Sequence, residues 1–296
     1  MATDTDAQRR FTAAVNGRNG RPRGDGIISP FVRLLVLSLC AASLAAGSAA
    51  AAIRPGGLMA GLAGSAEVST NWAGYATSAA KPFAAVSGRW VQPAASCDGT
   101  PTYSAFWVGL GGFSHGSFAV EQTGTQANCS FGAVSSYVAW YELYPAPPVN
   151  LRLRVRPGDV VSAAVAVKKH AVSIRLKNVT TGKLFAKTLA MHRPDRSSAE
   201  WIAEAPTGCD YAGYCSTLPL TNFGTVAFSH GAASAKGHKG RISDPRWSST
   251  SIELHGDLND PYHPSQAGAN AIPGELGPDG GSFNVAWQDL TPPPIG

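Results

Sequence analysis

Short apolar runs with alternating polar positions fill most of the chain after residue 69, and these runs are rich in Val, Ile, Trp, Tyr and Phe. Gly, Pro, Ser and Asn separate them, as in the turn-forming segments 156–159 (RPGD) and 180–183 (TTGK). No long stretch shows the apolar period of a helix. The pattern therefore predicts an all-β chain.

Twelve segments fit this pattern, and so many short strands at such spacing favour a two-sheet antiparallel β-sandwich of the jelly-roll or concanavalin-like type. A segment dense in Pro, Gly, Asp and Asn, residues 255–281, is interpreted as a long loop before the last strand. The predicted strands are residues 71–76, 84–91, 104–110, 117–122, 136–143, 160–167, 172–178, 184–189, 199–205, 224–229, 247–254 and 282–288.

The first 52 residues have the composition of an export signal. Basic residues up to Arg33 precede an apolar run, 34–46, and small residues follow it. A single membrane anchor is the alternative, but the many Ala, Ser and Gly residues make the run weakly hydrophobic. We therefore expect a signal segment at 1–52, a propeptide or linker at 53–68 and one β-sandwich domain at 69–296, located outside the cell.

The charge balance and the cysteine content indicate which partners and which disulfide bonds to expect. Of 24 Lys and Arg and 19 Asp and Glu, residues 53–296 keep 18 and 16, a net charge of +2. This balance gives no reason to expect nucleic acid as a partner. Four cysteines remain, Cys97, Cys129, Cys209 and Cys215, and an even number in an exported chain favours two disulfides. The short Cys209 to Cys215 interval favours one pair, but the sequence does not establish the connectivity.

Polar side chains within two predicted strands are the candidate catalytic or binding groups. Side chains alternate across a strand, so Glu200 and Glu204 share one face of their segment, about 13 Å apart at 3.3 Å per residue. Likewise Gln122 points opposite to Glu121. Carboxyl and carboxamide groups at such positions are either exposed to solvent or part of a functional site.

Six segments in this order resemble the glutamic peptidases, also called eqolisins or peptidase family G1. The resemblance covers roughly residues 69–290, and its specificity comes from the shared order of the motifs. The segments are residues 69–75 (STNWAGY), 106–111 (FWVGLG), 120–124 (VEQTG), 139–145 (AWYELYP), 199–206 (AEWIAEAP) and 222–228 (NFGTVAF).

The resemblance implies a sandwich of two seven-stranded sheets and an endopeptidase that uses a Gln and Glu pair. On this chain the pair is Gln122 with Glu204, and Glu200 is the alternative glutamate. A carboxylate can take a proton from an attacking water and return it to the departing amine. A carboxamide can donate a hydrogen bond to the oxygen that gains negative charge.

Neighbouring aromatic and acidic residues are the expected substrate-binding groups: Trp107, Trp140, Glu142 and Tyr144. The last three share one strand face, which suits contact with an extended peptide. For an arbitrary Trp, packing in the sandwich core is the alternative.

An acid-active enzyme is implied by the resemblance, but the chain lacks the acidic residues that other family members carry near Gly111 and Gln126. With fewer neighbouring carboxylates, we expect the pKa of Glu204 to be less raised. We expect no metal or organic cofactor, polypeptide substrates, a monomer, and no stable membrane association after signal removal. The alternative function is a non-catalytic carbohydrate- or peptide-binding sandwich module.

Overall fold

The structure is a computed structural model that describes residues 66–209, 215–256 and 269–289. The expected signal segment, and most of the expected propeptide or linker, lie outside these residues. Within the described part every regular element is a strand, and no helix there is long and apolar enough to cross a membrane. The strands are β1 (Glu67–Ser69), β2 (Trp72–Ser78), β3 (Phe83–Val91), β4 (Ala105–Leu110), β5 (Val120–Ser130), β6 (Val134–Tyr144), β7 (Val149–Leu151), β8 (Val160–Lys168), β9 (Ala171–Asn178), β10 (Leu184–Ala190), β11 (Ser198–Glu204), β12 (Thr207–Cys209), β13 (Cys215–Thr217), β14 (Thr225–Ala235), β15 (His238–Arg241), β16 (Ser248–His255), β17 (Ala269–Pro273) and β18 (Phe283–Asp289).

The strands form an antiparallel sandwich, which confirms the predicted fold class. One hydrogen-bonded path runs through β10, β9, β8, β3, β14, β18, β17, β16, β2, β11, β4, β5, β6 and β7. The path folds over so that β3, β8 and β9 face β4, β5 and β11. Strands β18, β17 and β16 therefore join the two layers along one side, and they leave no open sheet edge there.

Alternate side chains of the layer that contains β4 and β11 enter two different apolar clusters. Phe106, Val108 and Trp201 belong to the large core between the layers. Trp107 and Ile202 belong to a smaller cluster on the opposite side of the same strands, which we call the outer face. The two-residue repeat of a strand thus places the core and the outer face on neighbouring residues.

Strand β5 is longer than the sequence pattern predicts, and it starts later. The predicted segment 117–122 is only partly strand, because β5 begins at Val120 and continues to Ser130. The continuation is polar but buried, and its hydroxyl groups have partners: Thr123 donates to the carbonyl of Trp140, at 2.7 Å. Such pairing offsets the cost of burying a hydroxyl group.

Two regions interpreted as irregular contain strands. The predicted loop 255–281 includes β17, which pairs with both β16 and β18, so the interpretation of this whole segment as loop is wrong. Glu67 and Val68, placed by the sequence in the linker, lie in β1, which runs parallel to β16. Both strands are short. Strand β1 pairs with a distant part of the chain, and β17 pairs with the strands before and after it, so neither depends on a local pattern.

Two disulfides are present. Cys97 pairs with Cys129, across 32 residues, and thereby ties the segment before β4 to the end of β5. Cys209 pairs with Cys215 and closes the β12 and β13 hairpin. The first closes the longer loop, so it constrains the unfolded chain more strongly.

Candidate active site

The pairing of the strands sets where each polar side chain emerges on the outer face. Gln122 on β5 lies opposite Glu142 on β6 and opposite Gly109 on β4. On the other side of β4, Glu200 of β11 lies opposite the same Gly109, and Glu204 lies opposite Ala105. All four polar side chains therefore share the outer face, with β4 between the glutamine and the two β11 glutamates.

Gln122 is held by an acid on the neighbouring strand. Its residue is 6% exposed, and its amide Nε2 donates a hydrogen bond of 2.6 Å to Oε2 of Glu142. The amide Oε1 is buried and has no hydrogen-bond partner within the described residues. Because Glu142 fixes the orientation of the amide plane, the second N–H has a defined direction.

Glu204 is held by an indole and an amide. Trp107 Nε1 donates a hydrogen bond of 2.6 Å to Oε2 of Glu204, and Asn71 Nδ2 donates a long one, 3.5 Å, to Oε1. The ring of Trp72 meets that of Trp107 edge to face, with centroids 5.0 Å apart. Both carboxyl oxygens are thus oriented by donors on β4 and on the segment that leads into β2.

Desolvation dominates the electrostatics of this carboxyl. Burial raises the pKa of Glu204 from 4.5 to about 8, the Trp107 hydrogen bond lowers it, and the nearby Glu142 raises it. The pKa of Glu142 is also raised, to about 7, by burial and despite its bond with Gln122. Removal from water, rather than the number of acidic neighbours, is therefore the main cause of the raised pKa of Glu204.

Glu200 has a different environment. It is fully buried, and neither carboxyl oxygen forms a hydrogen bond of normal geometry within the described residues. Burial raises its pKa well above the usual value, the nearby Ser198 hydroxyl lowers it, and Asp195 and Glu121 raise it further. Burial therefore favours the neutral form of this carboxyl, and the acids that interact with it, Asp195 and Glu121, differ from the one that interacts with Glu204.

The expected substrate-binding residues divide into two groups. Trp107 and Trp140 are buried in the outer-face cluster, at 0% and 3% exposure, so they form its floor rather than part of the core between the layers. Tyr144 is half exposed at the end of β6, on the same side as Glu142. Glu142 itself contacts Gln122 directly.

Gly109 provides space at the centre of the site. A Cβ atom added there would lie 2.9 Å from Cζ3 of Trp107 and 3.2 Å from Cβ of Gln122. Real Cβ atoms do not approach other atoms to 2.9 Å, so any larger residue would displace the indole. The glycine therefore lets Trp107 lie across β4 towards Glu204.

Three residues near the acids were not assigned a role by sequence reasoning. Asn71 and Trp72 contact Glu204 or Trp107, and Phe113 packs against the outer-face cluster. Asn71 and Trp72 lie in the first of the six motifs, so their presence there was a usable signal. Phe113 lies in a loop outside all six.

Comparisons with known proteins identify the family and the fold of the chain. A family model described as the Peptidase A4 family matches residues 70–257, so the chain belongs to that family. It is accordingly a peptide hydrolase of the glutamic type. No curated protein sequence gives a significant match.

Solved structures of glutamic peptidases share the fold. Scytalido-glutamic peptidase with a peptide-based transition state analog has a TM-score of 0.60 at 23% identity, over 74% of this chain and 98% of that one. SCP-B, an eqolisin in complex with the tripeptide Ala-Ile-His, gives 0.58 at 22%, over 74% and 98%. Aspergilloglutamic peptidase from Aspergillus niger gives 0.51 at 26%, over 63% and 99%.

Proposed function

We propose that the protein is a secreted endopeptidase in which Glu204 activates water and Gln122 stabilises the oxyanion. The observation that carries this proposal is that four side chains on the outer face interact with one another. Trp107 donates a hydrogen bond to Glu204, and Gln122 donates one to Glu142. The carboxyl of Glu142 is also close enough to raise the pKa of Glu204. Such strongly perturbed acids, grouped on a sheet face, are typical of catalytic sites.

Glu204 supplies the proton transfer. The ionised carboxylate removes a proton from water while the water oxygen forms a bond to the peptide carbonyl carbon. The neutral carboxyl then returns this proton to the amide nitrogen as the carbon–nitrogen bond breaks. The donors Trp107 and Asn71 hold both carboxyl oxygens in place throughout.

Gln122 supplies the electrostatic part of catalysis. One of its two N–H bonds donates to Glu142, and the other is directed by that contact. A neutral donor of fixed orientation stabilises the oxyanion of the tetrahedral intermediate without needing to reorganise. Glu142 therefore acts as a positioning residue for the amide, in addition to its expected contact with the peptide.

The peptide backbone would lie along the outer face. Trp107 and Trp140 form an apolar floor, while the half-exposed Tyr144 is available at the end of β6 for aromatic contact. A main chain lying over such a floor excludes water from the acids, which strengthens their electrostatic interactions.

The raised pKa of Glu204 determines the pH range of the reaction. A general base acts only when ionised, and Glu204 has a pKa of about 8 in the unliganded protein. We therefore expect kcat/KM to rise with pH up to about 8, rather than to peak under strongly acidic conditions. The two disulfides support the expected extracellular location, since such bonds persist in oxidising compartments.

The direct test is cleavage of a denatured protein substrate by the purified, disulfide-bonded protein between about pH 2 and pH 9. We expect cleavage that resists a chelator, a serine-directed reagent and pepstatin, and that is lost in Gln122→Ala and Glu204→Gln. Unchanged cleavage in both variants would show that the hydrolysis occurs elsewhere. A maximum near pH 3 would show that Glu204 acts in its neutral form.

A further inference from the structure

The loop of residues 111–119, which joins β4 to β5, lies against the outer face. Phe113 is partly buried against the cluster that contains Trp107 and Ile202. At Gly112 an added Cβ would lie 2.8 Å from Cη2 of Trp72 and 2.7 Å from Cγ2 of Val120. The loop backbone therefore packs against Val120 and against Trp72, whose side chain contacts the candidate catalytic acid Glu204.

A hydrogen-bonded chain fixes this loop to the segment before β11. The Ser117 hydroxyl donates to Oδ2 of Asp195 and accepts from the backbone N–H of Gly112, at 2.8 Å. The backbone N–H of Asp195 donates to Oε1 of the buried Glu121, at 2.9 Å. The Ser117 side chain thus connects the start of the loop to a segment that is itself held by β5.

Other contacts of Asp195 show that its position is well defined. Its Oδ1 accepts from the backbone N–H of Ser197, at 2.8 Å. An added Cβ at Gly111 would lie 2.6 Å from Cβ of Asp195, so the loop and this segment are in close contact. With φ of +81°, Gly111 also has a backbone conformation that other residues rarely adopt.

We propose that loop 111–119 forms the apolar wall of a substrate side-chain pocket. Phe113 selects a bulky apolar residue of the peptide in this pocket. The hydrogen bond of Ser117 with Asp195 positions the wall. The proposal rests on the proposed peptidase function and adds to it a substrate class. Val120 and Ile202 belong to the apolar outer-face cluster, Trp72 and Phe113 pack against it, and Trp72 also forms a hydrogen bond with Glu204. A charged or strongly polar substrate side chain would lose its hydration against these apolar side chains.

The test compares two peptides that differ at one residue beside the scissile bond, Phe in one and Ala in the other. The wild-type protein should prefer the Phe peptide, and Phe113→Ala should reduce this preference in kcat/KM by about tenfold or more, since missing apolar contacts cost about 10- to 200-fold. Phe113→Leu should keep most of the preference. The matched control is Phe118→Ala, because Phe118 lies in the same loop and is 57% exposed.

Two outcomes of this experiment overturn the proposal. One is a preference that survives Phe113→Ala, and the other is an equal loss in Phe118→Ala. A wild-type protein that cleaves neither peptide nor a denatured protein would instead contradict the proposed function, so the two failures are distinguishable.

The positioning role is tested by Ser117→Ala, with Ser114→Ala as the control in the same loop. Ser117→Ala should raise KM for the Phe peptide about tenfold and leave kcat for the Ala peptide within about twofold. Ser117→Thr, which keeps a hydroxyl group, should restore the preference. Equal KM increases for both peptides, or no rescue by threonine, would show that the hydrogen bond has only a structural role.

Discussion

The two faces of the layer formed by β2, β11, β4, β5 and β6 differ in chemistry, although they are built from alternate residues of the same strands. The inner face carries Phe106, Val108 and Trp201 in the core between the layers. The outer face carries a smaller apolar cluster together with Gln122 and Glu204. A sheet normally buries one face and hydrates the other. Here the second face is also largely buried, and it is buried around acids.

The difference shows why burial alone does not identify the core. Trp201 and Trp107 are both almost fully buried, and both indole N–H groups have partners. Trp201 donates to the backbone carbonyl of Ser87 in the facing layer, which stabilises the sandwich. Trp107 donates to a carboxyl whose pKa is raised to about 8. The hydrogen-bond partner of each indole, rather than its exposed fraction, therefore distinguishes a structural residue from a residue of the candidate active site.

The largest expected effect on stability comes from the inner face. Trp201→Ala removes a fully buried side chain and its hydrogen bond to Ser87, and we expect the free energy of unfolding to fall by about 3–5 kcal/mol. Chemical denaturation with the disulfides intact measures this loss. A decrease of less than about 1 kcal/mol would mean that the core does not depend on this residue.

The corresponding change on the outer face should affect rate instead. Gln122→Ala removes the proposed oxyanion donor, and we expect kcat to fall about 100- to 1,000-fold with only a small change in the unfolding midpoint. Steady-state kinetics and denaturation on the same preparation give both values. A large loss of stability with normal kcat would assign Gln122 to the fold.

A smaller effect is expected at Gly109, where the outer face depends on the absence of a side chain rather than on a functional group. Gly109→Ala places a methyl group where Cζ3 of Trp107 now lies at 2.9 Å, so the indole must move relative to Glu204. A displacement of about 1 Å can cost up to about 100-fold in rate. Gly116→Ala is a poor control because of its positive φ, whereas an exposed alanine such as Ala186→Gly leaves the site untouched. Normal kcat/KM in Gly109→Ala would show that the indole position is not critical.

The smallest expected effect concerns the dependence of stability on pH. The folded protein raises the pKa of Glu121 to about 8 and that of Glu200 well above 4.5, so it retains protons that the unfolded chain releases above pH 4.5. The free energy of unfolding should therefore be greatest at or below about pH 4.5 and should fall as pH rises towards 8. Glu121→Gln and Glu200→Gln should flatten this decline.

Denaturation curves between about pH 4 and pH 9 test the expectation, with Glu67→Gln as a control at an exposed acid. Stability that increases with pH, or an unchanged slope in both buried-acid variants, would contradict the raised pKa of these two carboxyls in the folded protein.

The sequence pattern predicted much of this fold because most strands alternate in the ordinary way. The exceptions have physical causes. The polar residues of β5, such as Thr123, are buried with hydrogen-bond partners that only the folded sheet supplies. Strand β17 has five residues and forms by pairing on both sides, so the local sequence shows a loop composition.

Only part of the candidate site could be predicted from the sequence. Alternation placed Glu200 and Glu204 on one face, but it gave no information on their different environments. The hydrogen bond from Trp107 to Glu204 joins residues 97 positions apart, and it depends on the register of β4 against β11. The desolvation that raises the pKa of Glu204 likewise arises from packing, which no local pattern records.

The most direct measurement of the central claim is kcat/KM for Glu204→Gln and Glu200→Gln, determined on the same peptide and with matched folding controls. Both changes replace a carboxyl whose pKa is raised by desolvation with an amide of the same shape, but only Glu204 interacts with Glu142 and accepts a hydrogen bond from Trp107. We expect Glu204→Gln to lose about 100- to 10,000-fold and Glu200→Gln to lose less than about tenfold. The reverse order, or equal activity of the two variants, would contradict the assignment of Glu204 as the group that activates water.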